Sequence, residues 1–166
     1  MTSSALPRVR GSGMQSNHPS ARDPGAPRTI MSTTDTTKTR TITLTGRPPV
    51  RIVENDWPVI ASAMAKEWDN VHEFQANRTT SASIRVRQNR DGRTLVYAIY
   101  DYSTNFQGAA DRSAKAGELL PSGESAADCI IRVAEEMDSA IGDDHFGVTF
   151  SLLARECIAD LPAEEI

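Results

Sequence analysis

Alternating apolar and polar positions predict a β-hairpin near residue 41. Residues 41–45 (TITLT) alternate strictly, and the alternation resumes at residues 50–53 after the interruption Gly46-Arg47-Pro48-Pro49. Side chains of a strand point alternately to its two faces, so such runs are typical of half-buried strands joined by a turn. The apolar side chains on the inner face of this predicted hairpin are Ile42, Leu44, Val50 and Ile52.

A helical period follows the hairpin. Four apolar residues recur at steps of three or four, Pro58 lies in the first turn, and Asn55 or Asp56 can cap the helix. We therefore predict a central helix whose apolar stripe packs on the core. That stripe consists of Trp57, Ile60, Met64 and Trp68.

A second hairpin is predicted around residues 89–92. Asn89-Arg90-Asp91-Gly92 separates two strand-like runs, residues 83–88 and 93–102, and Gly92 can supply the positive φ that a tight turn requires. A loop of two or four residues gives strand registers of the same parity. That parity places Ile84, Val86, Leu95, Tyr97 and Ile99 on one face.

Two helices are predicted at the C-terminal end. They follow residues 103–124, where glycines and a proline favour a long loop. Ser125 can cap the first helix and Gly142 can end it, while Asp143 or Asp144 can cap the second. The two apolar stripes are Ile130, Val133, Met137 and Ile141, and then Phe146, Phe150, Leu153, Cys157 and Leu161.

This order of elements, ββαββαα, predicts an α+β fold. We expect a small, mostly antiparallel sheet built from two β-hairpins, packed with one central helix and two C-terminal helices. A single domain is expected over residues 41–166. Residues 1–40 are rich in Ser, Thr, Pro, Gly and Arg and are expected to form a disordered leader, most of which would be missing if translation began at Met31.

Charge is divided unevenly along the 166 residues. Residues 1–115 contain 16 Lys and Arg against 10 Asp and Glu, a balance of +6, whereas residues 116–166 contain 2 against 12, a balance of −10. Together they give the net charge of −4. No apolar run is long enough to span a membrane and no secretory signal is visible, so a cytoplasmic protein is expected. Cys129 and Cys157 fall in apolar helical stripes and are expected to be core thiols.

The basic half suggests a binding face on the sheet. The parity given above places Arg85, Arg87 and Tyr100 together on its outer face, and Arg51 joins them from the first hairpin. Arginines set among threonines and a tyrosine can pair with phosphates and stack on bases, so nucleic acid is the partner that we expect. The same residues also suit a solvated sheet face, and no RNA-recognition hexamer is present.

The acidic half suggests an alternative function. Its carboxylates would lie on the solvent faces of the two C-terminal helices, where they could bind a basic groove of a host protein. The alternative hypothesis is therefore an inhibitor or adaptor of the kind that mobile elements carry. An ordinary solvated helix face would have the same composition.

Residues 69–82 form a predicted polar loop with the third candidate site. It contains His72, Glu73, Asn77 and Arg78, which would support catalysis only if loop geometry brought them into one cleft. Phosphate-binding glycine loops, nucleophile elbows and metal-ligand spacings are missing from the sequence. We expect a binding protein without cofactor or metal rather than an enzyme.

Several short runs of the chain carry a resemblance, namely ITLTGRPPV (42–50), WPVI (57–60), QANR (75–78), RVRQ (85–88), DGR (91–93) and ECIADLP (156–162). In these runs the chain resembles a group of small uncharacterised proteobacterial proteins that are associated with plasmids or phages. The resemblance covers about residues 41–166 and implies a bacterial cytoplasmic protein, without assigning catalytic residues.

Overall fold

A computed structural model describes residues 37–71, 76–106, 108–142 and 149–163. The α+β class is confirmed, but the strands come first and the helices last. The compact unit that contains all of these residues begins at Thr36. Of the leader expected over residues 1–40, the first 36 residues lie outside the described part of the chain. The elements are β1 (Thr39–Leu44), β2 (Arg47–Val53), β3 (Val59–Val71), β4 (Ala76–Gln88), β5 (Thr94–Thr104), β6 (Arg112–Leu120), α1 (Ala126–Ile141) and α2 (Phe150–Ala159).

The strands form two antiparallel sheets. Strands β3, β4, β5 and β6 make a four-stranded sheet in sequence order, and β1 pairs with β2 as the predicted first hairpin. The hairpin packs on one face of the larger sheet with Ile42, Leu44 and Ile52 buried, as predicted. Its turn is attached to β6, because Thr45 N–H donates to Gly117 O at 2.8 Å.

The predicted central helix is wrong, since residues 59–71 form strand β3 and Trp57 precedes that strand. Ala61, Ala63 and Ala65 face the C-terminal helices, whereas Met64 and Trp68 point to the other side. Pairing with β4 and the close packing of α2 on small side chains outweigh the helical spacing of the larger apolar residues. Local propensity is a weak guide where such tertiary contacts form.

The long loop predicted at residues 103–124 is also wrong, because β6 occupies most of its second half. Gly117, one of the glycines that favoured a loop, lies within this strand. A Cβ added there would lie 2.6 Å from Thr43 O and 3.2 Å from Tyr97 Cβ. The glycine therefore does not break the strand but lets the main chain of β1 approach it closely.

The second hairpin is confirmed, but its register differs from the prediction. The loop contains five residues, from Asn89 to Arg93, because Asn89 Oδ1 accepts from Arg93 N–H at 2.8 Å. Compared with a loop of two or four residues, a loop of odd length turns the side chains of the second strand to the opposite face. The face that carries Ile84 and Val86 accordingly also carries Val96, Ala98, Tyr100 and Tyr102.

Both C-terminal helices pack on that face. Ser125 caps α1 as predicted, with its Oγ accepting from Asp128 N–H at 3.2 Å, and Gly142 ends the helix at a φ of 65°. Helix α2 is capped from α1, since Asp138 accepts from Phe150 N–H at 2.8 Å. The caps that were predicted for it, Asp143 and Asp144, lie outside the described residues, as does Phe146. The core placement of both thiols is confirmed: Cys129 and Cys157 are fully buried.

Candidate nucleic-acid interface

The face of the sheet opposite the helices is only partly covered. The β1–β2 hairpin lies over Leu95 and Tyr97, which are buried, and leaves the rest of that side accessible. We call the accessible part the open face. None of its side chains falls in the buried class. Its residues are Met64, Lys66, Trp68, Thr79, Ser81, Ser83, Arg85, Ile99, Asp101, Ser103, Ser113 and Lys115.

The registers arrange the open face in rows across the four strands. One row runs Met64, Ser83, Ile99, Lys115, and the next runs Lys66, Ser81, Asp101, Ser113. With a rise of about 3.3 Å per residue and about 4.8 Å between strands, the region from Met64 to Trp68 and across to β6 measures about 13 by 14 Å. It is a flat surface rich in hydroxyl groups.

Positive charge predominates on this surface. The open face carries Lys66, Arg85 and Lys115 against one carboxylate, that of Asp101. None of the three cations forms an ion pair with another described residue. At the border, Lys115 and Ile99 line a narrow groove with Arg40 of β1. The surface thus has cations that are available to an anionic ligand.

Of the four residues predicted to form one basic face, only Arg85 lies on the open face. Tyr100 points to the helices and is 2 % exposed, which is the consequence of the five-residue loop. Arg51 lies on the outer surface of the hairpin, where its Nη2 donates to Thr39 Oγ1 at 3.1 Å. The prediction that these residues share one surface is therefore wrong.

Arg87 is on the correct side of the sheet but is buried beneath the hairpin. Its Nη1 donates to Trp57 O at 2.6 Å and its Nε donates to Tyr97 Oη at 3.2 Å. Its Nη2 lies 3.7 Å from Glu54 Oε1. With 7 % of its side chain exposed, this arginine joins the segment after β2 to the sheet and is not accessible to a ligand.

Glu54 is the centre of a small cluster of charges beside Arg87. Arg40 Nε donates to Glu54 Oε1 at 2.6 Å, and Lys38 Nζ lies 3.5 Å from Glu54 Oε2. The hydrogen bond from Arg40 holds the pKa of this carboxyl below its ordinary value. The cluster stabilises the position of β1 and β2 on the sheet.

The predicted polar loop is shorter than expected, because β3 extends to Val71 and β4 begins at Ala76. Asn77 N–H donates to Asn105 Oδ1 at 2.6 Å, which ties the end of β4 to the loop after β5. Arg78 is half-buried in β4 opposite Thr104. His72 and Glu73 lie outside the described residues, so the prediction that these four residues form a site stays a prediction.

Several acidic side chains of the C-terminal half hold the fold together. Glu136 Oε2 accepts from Thr45 Oγ1 at 2.8 Å, and Asp160 Oδ2 accepts from Ser62 N–H at 2.9 Å. Glu118 accepts two hydrogen bonds from Arg132, at 2.9 and 3.2 Å. These contacts give part of the acidic half a structural role, and the alternative of an acidic docking surface stays a prediction.

The described part of the chain shows no candidate metal centre. It contains no group of three or more His, Cys, Asp or Glu side chains placed to hold a metal ion, and no buried side-chain polar atom without a partner. Burial raises the pKa of Cys129 to about 12 and that of Cys157 to about 11, so both are protonated thiols at neutral pH. No described helix is long and apolar enough to cross a membrane.

The sequence prediction missed most of the open face. Met64 and Trp68 were assigned to a buried helical stripe, Lys66 to the same helix, and Lys115 to a loop. The alternation of Ala61, Ala63 and Ala65 with larger or polar residues was the signal for a strand. Alanine conceals that signal because it is a strong helix former.

Comparison with known proteins gives no match: no family model, no curated protein and no solved structure is significantly similar to the chain. The resemblance to small proteobacterial proteins stays a prediction. The functional argument therefore depends on the open face itself.

Proposed function

We propose that this protein binds nucleic acid through the open face of its four-stranded sheet. The observation that carries the proposal is the set of three cations, Lys66, Arg85 and Lys115, which form no ion pair with other described residues on a surface with one carboxylate. Unpaired cations on a flat surface attract the phosphate backbone and release its counterions.

The hydroxyl groups of the open face support the same proposal. Ser81 and Ser83 of β4 lie between Lys66 of β3 and Lys115 of β6, and Ser113 lies beside Lys115 along β6. Serine and threonine side chains contribute many of the hydrogen bonds that proteins make to phosphate oxygens and sugars. Cations and hydroxyls within about 16 Å of one another suit a short stretch of backbone.

The test is the salt dependence of binding to a labelled oligonucleotide. The triple variant Lys66→Gln/Arg85→Gln/Lys115→Gln should bind more weakly and show a log K against log salt slope that is smaller by about 2, from about 0.7 per lost phosphate contact on a single strand. The matched control is Arg51→Gln/Arg90→Gln/Arg93→Gln, which removes the same charge from exposed positions outside the open face.

The control variant should retain both the affinity and the slope of the unmodified protein. Equal losses in the two triple variants would show that binding follows net charge and would refute a localised site. Failure of the unmodified protein to bind any oligonucleotide at low salt would refute the proposal altogether.

A further inference from the structure

We infer that the ligand of the open face is a single strand rather than a duplex, and that Trp68 is the surface on which a base stacks. This inference rests on the proposed function and narrows its ligand class. Strand β3 carries three of the six large apolar side chains that are exposed among the described residues. They are Val59, Met64 and Trp68, with exposures of 45 %, 67 % and 64 %.

Two of these exposed apolar groups, Met64 and Trp68, lie within the charged surface. Met64, Lys66 and Trp68 follow one another along β3 at steps of two residues, so their side chains share the open face at intervals of about 7 Å. Ile99 adds apolar surface across the sheet, in the same row as Met64. The arrangement alternates groups that suit bases with a group that suits a phosphate.

Only an unpaired strand can use all of these groups. A duplex hides the flat faces of its bases and presents phosphates, sugars and base edges, whereas a single strand exposes faces that stack on aromatic side chains. A duplex would satisfy the three cations but leave Trp68 and Met64 against a charged backbone. Exposure of an indole ring beside cations that pair with no described carboxylate therefore favours the single strand.

The alternative occupant is a second copy of the chain. Strand β3 is an edge of its sheet, and Asp160 covers the outward N–H of Ser62. Because outward N–H groups alternate along a strand, those of Met64, Lys66 and Trp68 face the same edge and are available for pairing. Lys66 would meet like charge in a pairing centred on it, which disfavours this occupant.

The experiment compares an oligothymidine of about ten nucleotides, within the site sizes of sheet-based single-strand binders, with the duplex it forms with its complement. Trp68→Ala should weaken single-strand binding about tenfold and leave duplex binding unchanged, while Trp68→Phe should keep most of the affinity. Leu152→Ala, which truncates an apolar side chain 56 % exposed on α2, is the matched control and should change neither.

A direct readout comes from fluorescence, because the chain contains two tryptophans. The variant Trp57→Phe keeps the main-chain oxygen that accepts a hydrogen bond from the Arg87 side chain, and it leaves Trp68 as the sole indole. Stacking predicts quenching by the oligothymidine at stoichiometric concentration. An unchanged spectrum on full binding would overturn the role of Trp68.

Failure of the single-strand inference can be distinguished from failure of the proposed function. If the triple cation variant loses binding while Trp68→Ala binds the single strand normally, the inference is wrong and the proposed function stands. If the unmodified protein binds neither oligonucleotide, the proposed function is wrong and the inference is wrong with it. If the free protein is a dimer that Trp68→Ala converts to a monomer, the patch belongs to a second copy and the inference is overturned.

Discussion

The Nε of Arg87 donates a hydrogen bond of 3.2 Å to the phenolic oxygen of Tyr97 beneath the β1–β2 hairpin. Arg85 lies two residues earlier on the same side of β4, directly opposite Tyr97, yet it is only half-buried. The edge of the hairpin therefore separates a structural arginine from one that a ligand can reach. Sequence patterning gives both residues the same environment, and only the covering element distinguishes them.

Replacing these two arginines should give opposite results. We expect Arg87→Met to lower the free energy of unfolding by about 1.5–3 kcal/mol, because it removes buried hydrogen bonds from a charged donor. Arg85→Met should change it by less than about 0.5 kcal/mol but weaken oligonucleotide binding. Urea denaturation and binding titrations of both variants provide the measurements. Normal stability of Arg87→Met would contradict the structural role given to this residue.

Gly117→Ala should detach the hairpin turn from β6. The new Cβ would lie 2.6 Å from the main-chain oxygen of Thr43, which cannot move without shifting β1. We expect a loss of about 1–3 kcal/mol in the free energy of unfolding, as for other overpacked sites. Ser113→Ala, at an exposed position on the same face of β6, is the control and should be close to neutral. Thermal denaturation followed by circular dichroism would compare them.

Asp138→Ala should destabilise the start of α2. Its carboxylate accepts from Phe150 N–H at 2.8 Å, from Ser151 N–H at 3.1 Å and from Ser151 Oγ at 2.7 Å. We expect a cost of about 0.5–2 kcal/mol, the range for loss of an N-cap. Glu135→Ala, three residues earlier and exposed, removes the same charge and should have little effect. Hydrogen exchange at Leu152 and Leu153 would show whether α2 frays, and unchanged protection would refute the capping role.

Stability should decrease in acid because of Glu54 and Glu118. Hydrogen bonds from Arg40 and Arg132 lower the pKa of these carboxyls from their ordinary value of 4.5. A lowered pKa in the folded state means that the unfolded chain takes up protons first as the pH falls. The contribution is complete well above pH 4.5 and is lost as the pH falls through the lowered pKa values.

Urea midpoints measured from pH 7 to pH 3 would test this expectation. Glu54→Gln/Glu118→Gln should be less stable than the unmodified protein at pH 7 and should lose less on acidification. Parallel pH curves for the two proteins would mean that other carboxyls control the acid response.

Features that depend on nearby residues could be predicted from the sequence. The first hairpin has its strands and its turn within fifteen residues, and Gly92 and Ser125 act locally as the turn and cap chemistry indicates. The prediction of which side chains of the first hairpin face inward was also correct, because strict alternation allows only one apolar face. These elements need no information from the rest of the chain.

Features that depend on distant partners could not be predicted. The strand conformation of residues 59–71 requires β4 and α2, and Gly117 is explained by Thr43, which is far away in sequence. One extra residue in the second loop was enough to move Tyr100 from the proposed site into the core. The rest of the candidate site failed because the first hairpin buries Arg87 and keeps Arg51 on its own outer surface.

The bond between Thr45 and Gly117 joins residues 72 positions apart, and this separation bears on how the protein is made. Among the described elements the hairpin leaves the ribosome first, but the sheet that its apolar side covers is complete only when Leu120 has been added. At about 5–20 residues per second, the finished hairpin waits roughly 3–15 s before its sheet exists. A two-stranded hairpin alone is marginally stable in water, so this hairpin, the first described element to be translated, is among the last of them to find its final position.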